Sequence, residues 1–401
     1  MGVITRELAN DLTSSPNSPY QLGQVVGFDF DHQPPMLLVN DVERPMRFLG
    51  NLVDYTYFDS VVYVARNGGP LVIGRLPYMG GDLEDWHLVG AGGEPAFQNS
   101  WANFGGAHAV AGFYMQPDGW VRLKGLVASG TSTSTIFTLP EGYRPPFNAV
   151  FTSVSNGVQC VIQVDTSGNV SKPIGGSNAH ASLAGVTFPT LWNRAQWLLP
   201  VLEQAWSRSA QPNPTVEMFR RDDGWVWTKG ILTGTLNTRI LVLPEQTRVL
   251  SNHILACVDI PAFAFNRVDL FYKGVMTHVV GATNVNLGGK NWFTSSGGRT
   301  FVAPTFLNSW ANFATDTENA GYYVDHLGVC HLQGVVTGTN NDPIFNLPAG
   351  VRPLEQHIFF TVSAGEVVCR VDVLANGDVK RGLPVANGYL SLNGVSFRVE
   401  Q

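Results

Sequence analysis

Charge is what this sequence has least of. Charged residues make up 14% of its 401 positions, against roughly 25% in an average soluble domain. The net charge is −6, and Lys and Arg are scattered, so the basic footprint of a nucleic-acid-binding protein is missing. No run approaches the roughly 18 consecutive apolar residues of a membrane-spanning helix, so no membrane insertion is expected. The opening Met1-Gly-Val-Ile-Thr-Arg-Glu7 lacks the apolar core of a secretory signal. Gly2 is half of a myristoylation signal, but Glu7 and the missing basic patch argue against one.

Cysteine is scarce too. Cys160, Cys257, Cys330 and Cys369 form no Cys-x-x-Cys pair, which excludes a zinc knuckle or a thioredoxin-like motif. Cys160 and Cys369 fall in phase with alternating apolar residues, so free core cysteines are expected. Gly-x-Ser-x-Gly, His-Glu-x-x-His and a P-loop are all absent. Asp29-Phe-Asp-His32 gathers three potential ligands in four residues, but with no further cluster it reads as a solvated strand edge. The expectation is a non-enzymatic protein with no cofactor and no bound metal.

Turn-forming residues are abundant, with 43 Gly and 24 Pro, and neither forms long runs. Frequent short turns suit many brief strands and disfavour long helices. Internal periodicity then decides the architecture. Phe97-Gln-Asn-Ser-Trp-Ala-Asn-Phe104 and Phe306-Leu-Asn-Ser-Trp-Ala-Asn-Phe313 differ at one position and lie 209 residues apart. The same offset links Gly119 to Gly328, Gly125 to Gly334, Cys160 to Cys369, and Ser182-Leu-Ala-Gly-Val-Thr-Phe188 to Ser391-Leu-Asn-Gly-Val-Ser-Phe397. Half that offset predicts a middle copy. Trp206, Asp223-Gly224-Trp225-Val226, Lys229-Gly230 and Leu243-Pro244 with Arg248 supply it.

Each copy of about 105 residues reads as six to eight short strands, the pattern of a β-sandwich. Gly112–Gln116 and Trp120–Val127 form a hairpin around Pro117-Asp-Gly119. Pro140-Glu-Gly-Tyr-Arg-Pro-Pro146 is a rigid reversal, and Leu183 to Phe188 forms one last strand. Ahead of the copies, Tyr20–Phe30, Pro35–Val39 and the hairpin Ser60–Leu76 fit a small barrel of the oligonucleotide/oligosaccharide-binding type. The expected organisation is all-β. Residues 1–96 form the barrel with a linker, 97–190 the first sandwich, 191–202 a linker, 203–300 the second sandwich and 301–401 the third.

Asn99-Ser-Trp101, Gly119-Trp-Val-Arg-Leu-Lys-Gly125, Leu139-Pro-Glu-Gly-Tyr-Arg-Pro145 and the strand from Ser182 to Phe188 together resemble a domain common in the minor tail and fibre proteins of long-tailed phages. The third copy repeats all four, with Val351 in place of the turn tyrosine. The hairpin at Val61–Leu76 is also similar to small barrels of tail-tip and baseplate proteins. The resemblance implies a virion protein of the distal tail. Its expected partners are other tail or baseplate proteins and host-surface carbohydrate, often as a homotrimer. The leading expectation is a barrel that attaches to the tail and three tandem sandwiches that extend outward for adhesion. A purely structural baseplate part and a glycan-degrading spike are the alternatives.

A spike would need paired carboxylates. Asp118, Asp223 and Asp325 near hairpin turns, and Asp165, Asp269 and Asp372 later, read as repeated turn chemistry instead. Trp101, Trp206 and Trp310, with Arg144, Arg248 and Arg352, are expected to anchor each copy. The aromatics left over for sugar stacking or interface packing are Trp192, Trp197, Trp225, Trp227 and Trp292. Trp225 and Trp227 share a strand face. The loops Ala128–Thr135, Thr233–Thr238 and Gly338–Pro343 differ in sequence at matching positions, where a shared scaffold would place different specificities.

Overall fold

The computed structural model describes residues 84–400 apart from 132–134, 192–196, 204, 210–214, 222, 261–263, 295–299, 326, 340–341 and 383–387, and before them the backbone of five strands. The fold is all-β, and its described residues contain no α-helix. The chain divides into two compact units. One comprises Met1–Asp85, Met115–Val121 and Pro189–Ala195; the other comprises Trp86–Tyr114, Arg122–Phe188 and Gln196–Gln401.

In the first unit, β1 (Tyr20–Asp29), β2 (Met36–Val39), β3 (Arg44–Phe48), β4 (Ser60–Val64) and β5 (Leu71–Arg75) close into a barrel in the order β1-β2-β3-β5-β4. β1 is long enough to pair with both β2 and β4, and its register shifts between Val25 and Gly27. Such a bulge bends a strand and lets one strand serve two neighbours. β3, which alternation alone does not reveal, pairs in parallel with β5. The remainder of the Asp29–His32 cluster lies outside the described residues.

Three pairs of strands are built alike. Trp120–Lys124, Trp225–Lys229 and Val329–Gln333 are each followed by a glycine and then by a second strand in a different sheet. The glycine causes the switch. Gly125, Gly230 and Gly334 have φ of 119°, 97° and 103°, a region open to glycine and costly for other residues. A Cβ at any of them would also collide with backbone of Ala111, Val216 or Ala320. The single strand expected over Trp120–Val127 is therefore two strands, one on each layer. The strand expected over Leu183 to Phe188 is split likewise. Ala181–Ser182 and Thr187–Pro189 join different sheets, with Gly185 at φ 82° between them.

Two stretches expected as linkers are sheet edges instead. His87–Leu88 pairs with Gly112–Met115, and Trp197–Leu198 pairs with Glu217–Arg220. Val201–Leu202 joins a third sheet through Leu241 and Val242.

The three segments do not follow one another as separate beads. Strands Ala149–Ser155, His253–Val258 and His357–Ser363 lie against one another. Three hydrogen bonds close a cycle. Ser182 Oγ donates to the Ile358 carbonyl at 2.6 Å, Ser391 Oγ to the Ile254 carbonyl at 2.8 Å, and Asn286 Nδ2 to the Val150 carbonyl at 3.4 Å. The first segment thus reaches the third, the third the second, and the second the first. This contact explains why Arg122 and Lys124, on the polar phase of their strand, are buried. Arg122 donates to Ser396 Oγ at 3.1 Å, and Lys124 pairs with Glu355 at 2.9 Å and Glu400 at 3.6 Å. Where a segment's second face meets another segment, alternation ceases to mean exposure.

Candidate functional site

The interior contacts are common to all three segments. Trp101, Trp206 and Trp310 are buried. Each covers a glycine, Gly130, Gly234 or Gly338, where a Cβ would overlap the indole ring. Arg144, Arg248 and Arg352 donate Nε to the carbonyls of Leu139, Leu243 and Leu347, at 3.0, 3.3 and 2.7 Å. Each guanidinium thereby clamps the Leu-Pro turn five residues back and lies over a second glycine, Gly168, Gly274 or Gly377. The cysteines are buried and free, and burial pushes the thiols of Cys160 and Cys257 up to about 12 and 11. Thiols so far above neutrality are poor nucleophiles.

The aromatics singled out for stacking are interior as well. Trp225 and Trp227 are each 1% exposed and Trp292 is 3% exposed, so none offers a ring face to a sugar. The guanidinium of Arg221 covers Trp225 at 5.1 Å, and Trp292 Nε1 donates to the Thr247 carbonyl at 2.8 Å. Trp197 is partly buried, with Lys229 Nζ 4.1 Å over its ring and Phe147 and Trp227 beside it. Trp192 lies outside the described residues. Trp225 and Trp227, two residues apart on one strand, are both enclosed by neighbouring chain.

The carboxylates are engaged in turns and ion pairs. Asp165 Oδ1 accepts from the amides of Ser167 and Asn169, both at 2.9 Å, and Asp223 Oδ1 accepts from the Trp225 amide at 3.0 Å. Asp325 Oδ1 accepts from the amides of Leu327 and Val329 at 2.9 Å, while its Oδ2 meets Arg221 at 2.6 Å and His331 at 3.0 Å. Burial raises the Asp325 pKa, but Arg221 and His331 outweigh it and hold the carboxyl well below its ordinary value. Asp269 is paired twice with Arg267, at 2.7 Å each.

Geometry corrects the alignment of these residues. The hairpin amides that bond to Trp120, Trp225 and Val329 belong to Gln116, Arg221 and Asp325, so Asp325 matches neither Asp118 nor Asp223. Asp269 and Asp372 face Ile254 and Ile358, and the residue facing Val150 is Gln163, not Asp165. Six aspartates are therefore not two sets of three. Matching by residue type misaligned them by two positions.

What the segments do not share lies at their turns. Amide bonds from Gly168, Gly274 and Gly377 close three turns of one shape. Their side chains are Asp165-Thr-Ser, Phe271-Tyr-Lys and Leu374-Ala-Asn. Only the middle turn is aromatic. Tyr272 is 54% exposed and Phe271 36%, with Leu250 exposed nearby in the chain before Asn252. Asn252 Oδ1 accepts from the Tyr272 amide at 3.2 Å, and Lys273 Nζ lies 5.5 Å from the Tyr272 ring. The result is a solvent-exposed aromatic turn with the Lys273 ammonium over the Tyr272 ring. An aromatic face carries partial negative charge and attracts the electropositive C–H face of a sugar ring. The readable signal was an aromatic pair in a turn whose counterparts are small or polar. Comparisons with protein-family models, curated proteins and solved structures return no match to this chain.

Proposed function

We propose that the chain is a structural and adhesive component of a phage tail tip or fibre. In this reading the N-terminal barrel is of the oligonucleotide/oligosaccharide-binding type and attaches to the tail. Three copies of one β-sandwich form a closed cluster that presents the Phe271–Tyr272 turn to host-surface carbohydrate. The observation that carries the reading is a repeated interior combined with one unrepeated, exposed aromatic turn. A scaffold that keeps its tryptophan–glycine contact three times while varying its turns separates stability from recognition. The engaged aspartates favour binding over glycan hydrolysis, because a general acid and a base must be free to exchange protons with substrate. The cyclic contacts within one chain supply what three chains supply in a homotrimer, so one chain suffices for the cluster.

A bacterial glycan array probed with the whole protein tests the adhesive part. Retention that Tyr272→Ala reduces tenfold or more supports it. Failure to bind across the array overturns it and leaves the purely structural reading, which the burial of Trp225, Trp227 and Trp292 already favours. Imaging virions with labelled protein tests the tail location. Label elsewhere than the distal tail contradicts it.

A further inference from the structure

Near the centre of the cyclic contacts, each segment contributes one turn: Leu183-Ala-Gly-Val186, Leu287-Gly-Gly-Lys290 and Leu392-Asn-Gly-Val395. Val186 and Val395 are buried core residues. Lys290 holds the same position in the middle segment, as matching amide bonds back to Leu183, Leu287 and Leu392 show. A chain that uses valine in the first and third segments has placed an ammonium in the middle one. Lys290 is half-buried, and even partial desolvation of an ammonium without a counter-charge is costly.

Lys290 lines a cavity of about 50 Å³ between the three segments, with Phe151, Phe359 and Phe360 among its walls. Its Nζ lies 5.8 Å from the Phe360 ring centroid. No Asp or Glu lines this space, and among the described residues no carboxylate pairs with Lys290. Two further polar groups on the wall, Asn393 Nδ2 and Thr152 Oγ1, are buried without a hydrogen-bond partner in the protein. The neighbouring polar side chains are already committed. Thr361 Oγ1 donates to the Ser391 carbonyl at 2.6 Å, and Asn291 Nδ2 to the Gly289 carbonyl at 3.2 Å. Burial lowers the Lys290 pKa, as expected for an ammonium without a counter-charge.

Unsatisfied buried donors require an explanation, most often a bound water or ion. Here two buried donors share a wall with the half-buried Lys290 ammonium, and the space exceeds that of a single water. We propose that this cavity binds one small oxyanion, phosphate or carboxylate, held by the Lys290 ammonium, the Asn393 amide and the Thr152 hydroxyl. The anion neutralises Lys290 and ties together turns and strands from all three segments. It stabilises the folded chain by an amount that rises with the logarithm of its concentration once that exceeds the dissociation constant.

The test is thermal unfolding and calorimetric titration of the full chain with inorganic phosphate, sulfate or acetate, against chloride at equal ionic strength. A rise in Tm that grows with phosphate and sulfate assigns a tetrahedral oxyanion, and a rise with acetate assigns a carboxylate. Lys290→Val, which installs the residue of the two matching turns, is expected to fold and to weaken the response at least tenfold. Asn393→Ala, the residue at Ala184, provides a second variant with the same expected direction. No oxyanion effect beyond chloride overturns the proposal and leaves the cavity to water. An effect undiminished in both variants overturns it as well.

Discussion

The tryptophan–glycine contacts and the glycine-closed turns have been treated in opposite ways across the three segments. Trp101 on Gly130, Trp206 on Gly234 and Trp310 on Gly338 keep the same partners. The turns closed by Gly168, Gly274 and Gly377 keep the same backbone bond and exchange nearly every side chain. A ring packed on a bare Cα leaves no space for variation, because a single methyl group must displace indole or backbone. A turn needs only the glycine at its positive φ, and its other side chains are paid for by solvent. The contacts that close a core are therefore alike in all three segments, while the side chains of the turns differ.

Substitutions should break this contrast in a graded order. The largest effect is expected from Gly230→Ala. It combines a φ of 97° with collision against the Val216 backbone and should cost about 4 kcal/mol of stability in urea unfolding. A loss below about 1 kcal/mol would mean that the sheet switch does not depend on glycine.

Next is His357, whose pKa burial depresses to about 3, with Lys124 adding to the shift. As pH falls below about 6.5 the unfolded chain takes up the proton first. Stability is thus fully present above that pH and is lost progressively down to about 3, by up to roughly 4–5 kcal/mol for this group. His357→Phe, between the rings of Phe359 and Phe397, should flatten the acid limb of the stability profile. An unchanged limb contradicts the assignment. Asp372, pushed up to about 6 by burial, works in the opposite sense, since acid relieves the cost of its buried charge.

Arg352→Gln removes a hydrogen bond to the Leu347 carbonyl and should cost about 1 kcal/mol. Equal losses from Arg144→Gln and Arg248→Gln would sharpen the equivalence of the three clamps. Tyr272→Ala comes last, with stability expected within about 0.5 kcal/mol of the original. A larger loss would identify the turn as structural rather than as a recognition surface.

Local chemistry was legible in the sequence. The glycines at 125, 230 and 334, the tryptophans and the arginines stand out because each obeys a short-range rule of turn or packing. What lay beyond reading was which surfaces meet. Alternation places Arg122 and Lys124 on a polar face, but residues some 230 to 270 positions away cover that face. Trp225 and Trp227 read as a platform for the same reason. Residue type aligns Asp118, Asp223 and Asp325, whereas the backbone bonds that define the turn make Asp325 equivalent to Arg221 and Gln116. Periodicity carries the direction of a side chain relative to its own strand. It does not carry the identity of a partner from another segment.

Hydrogen exchange with peptide-level mass spectrometry on Gly338→Ala tests the cyclic contact most directly. The substitution disturbs Trp310 in the third segment alone. Segments locked to one another predict faster exchange in Ala149–Ser155 and His253–Val258 together with His357–Ser363. Acceleration confined to the third segment, with the other two protected as in the original protein, would contradict the account.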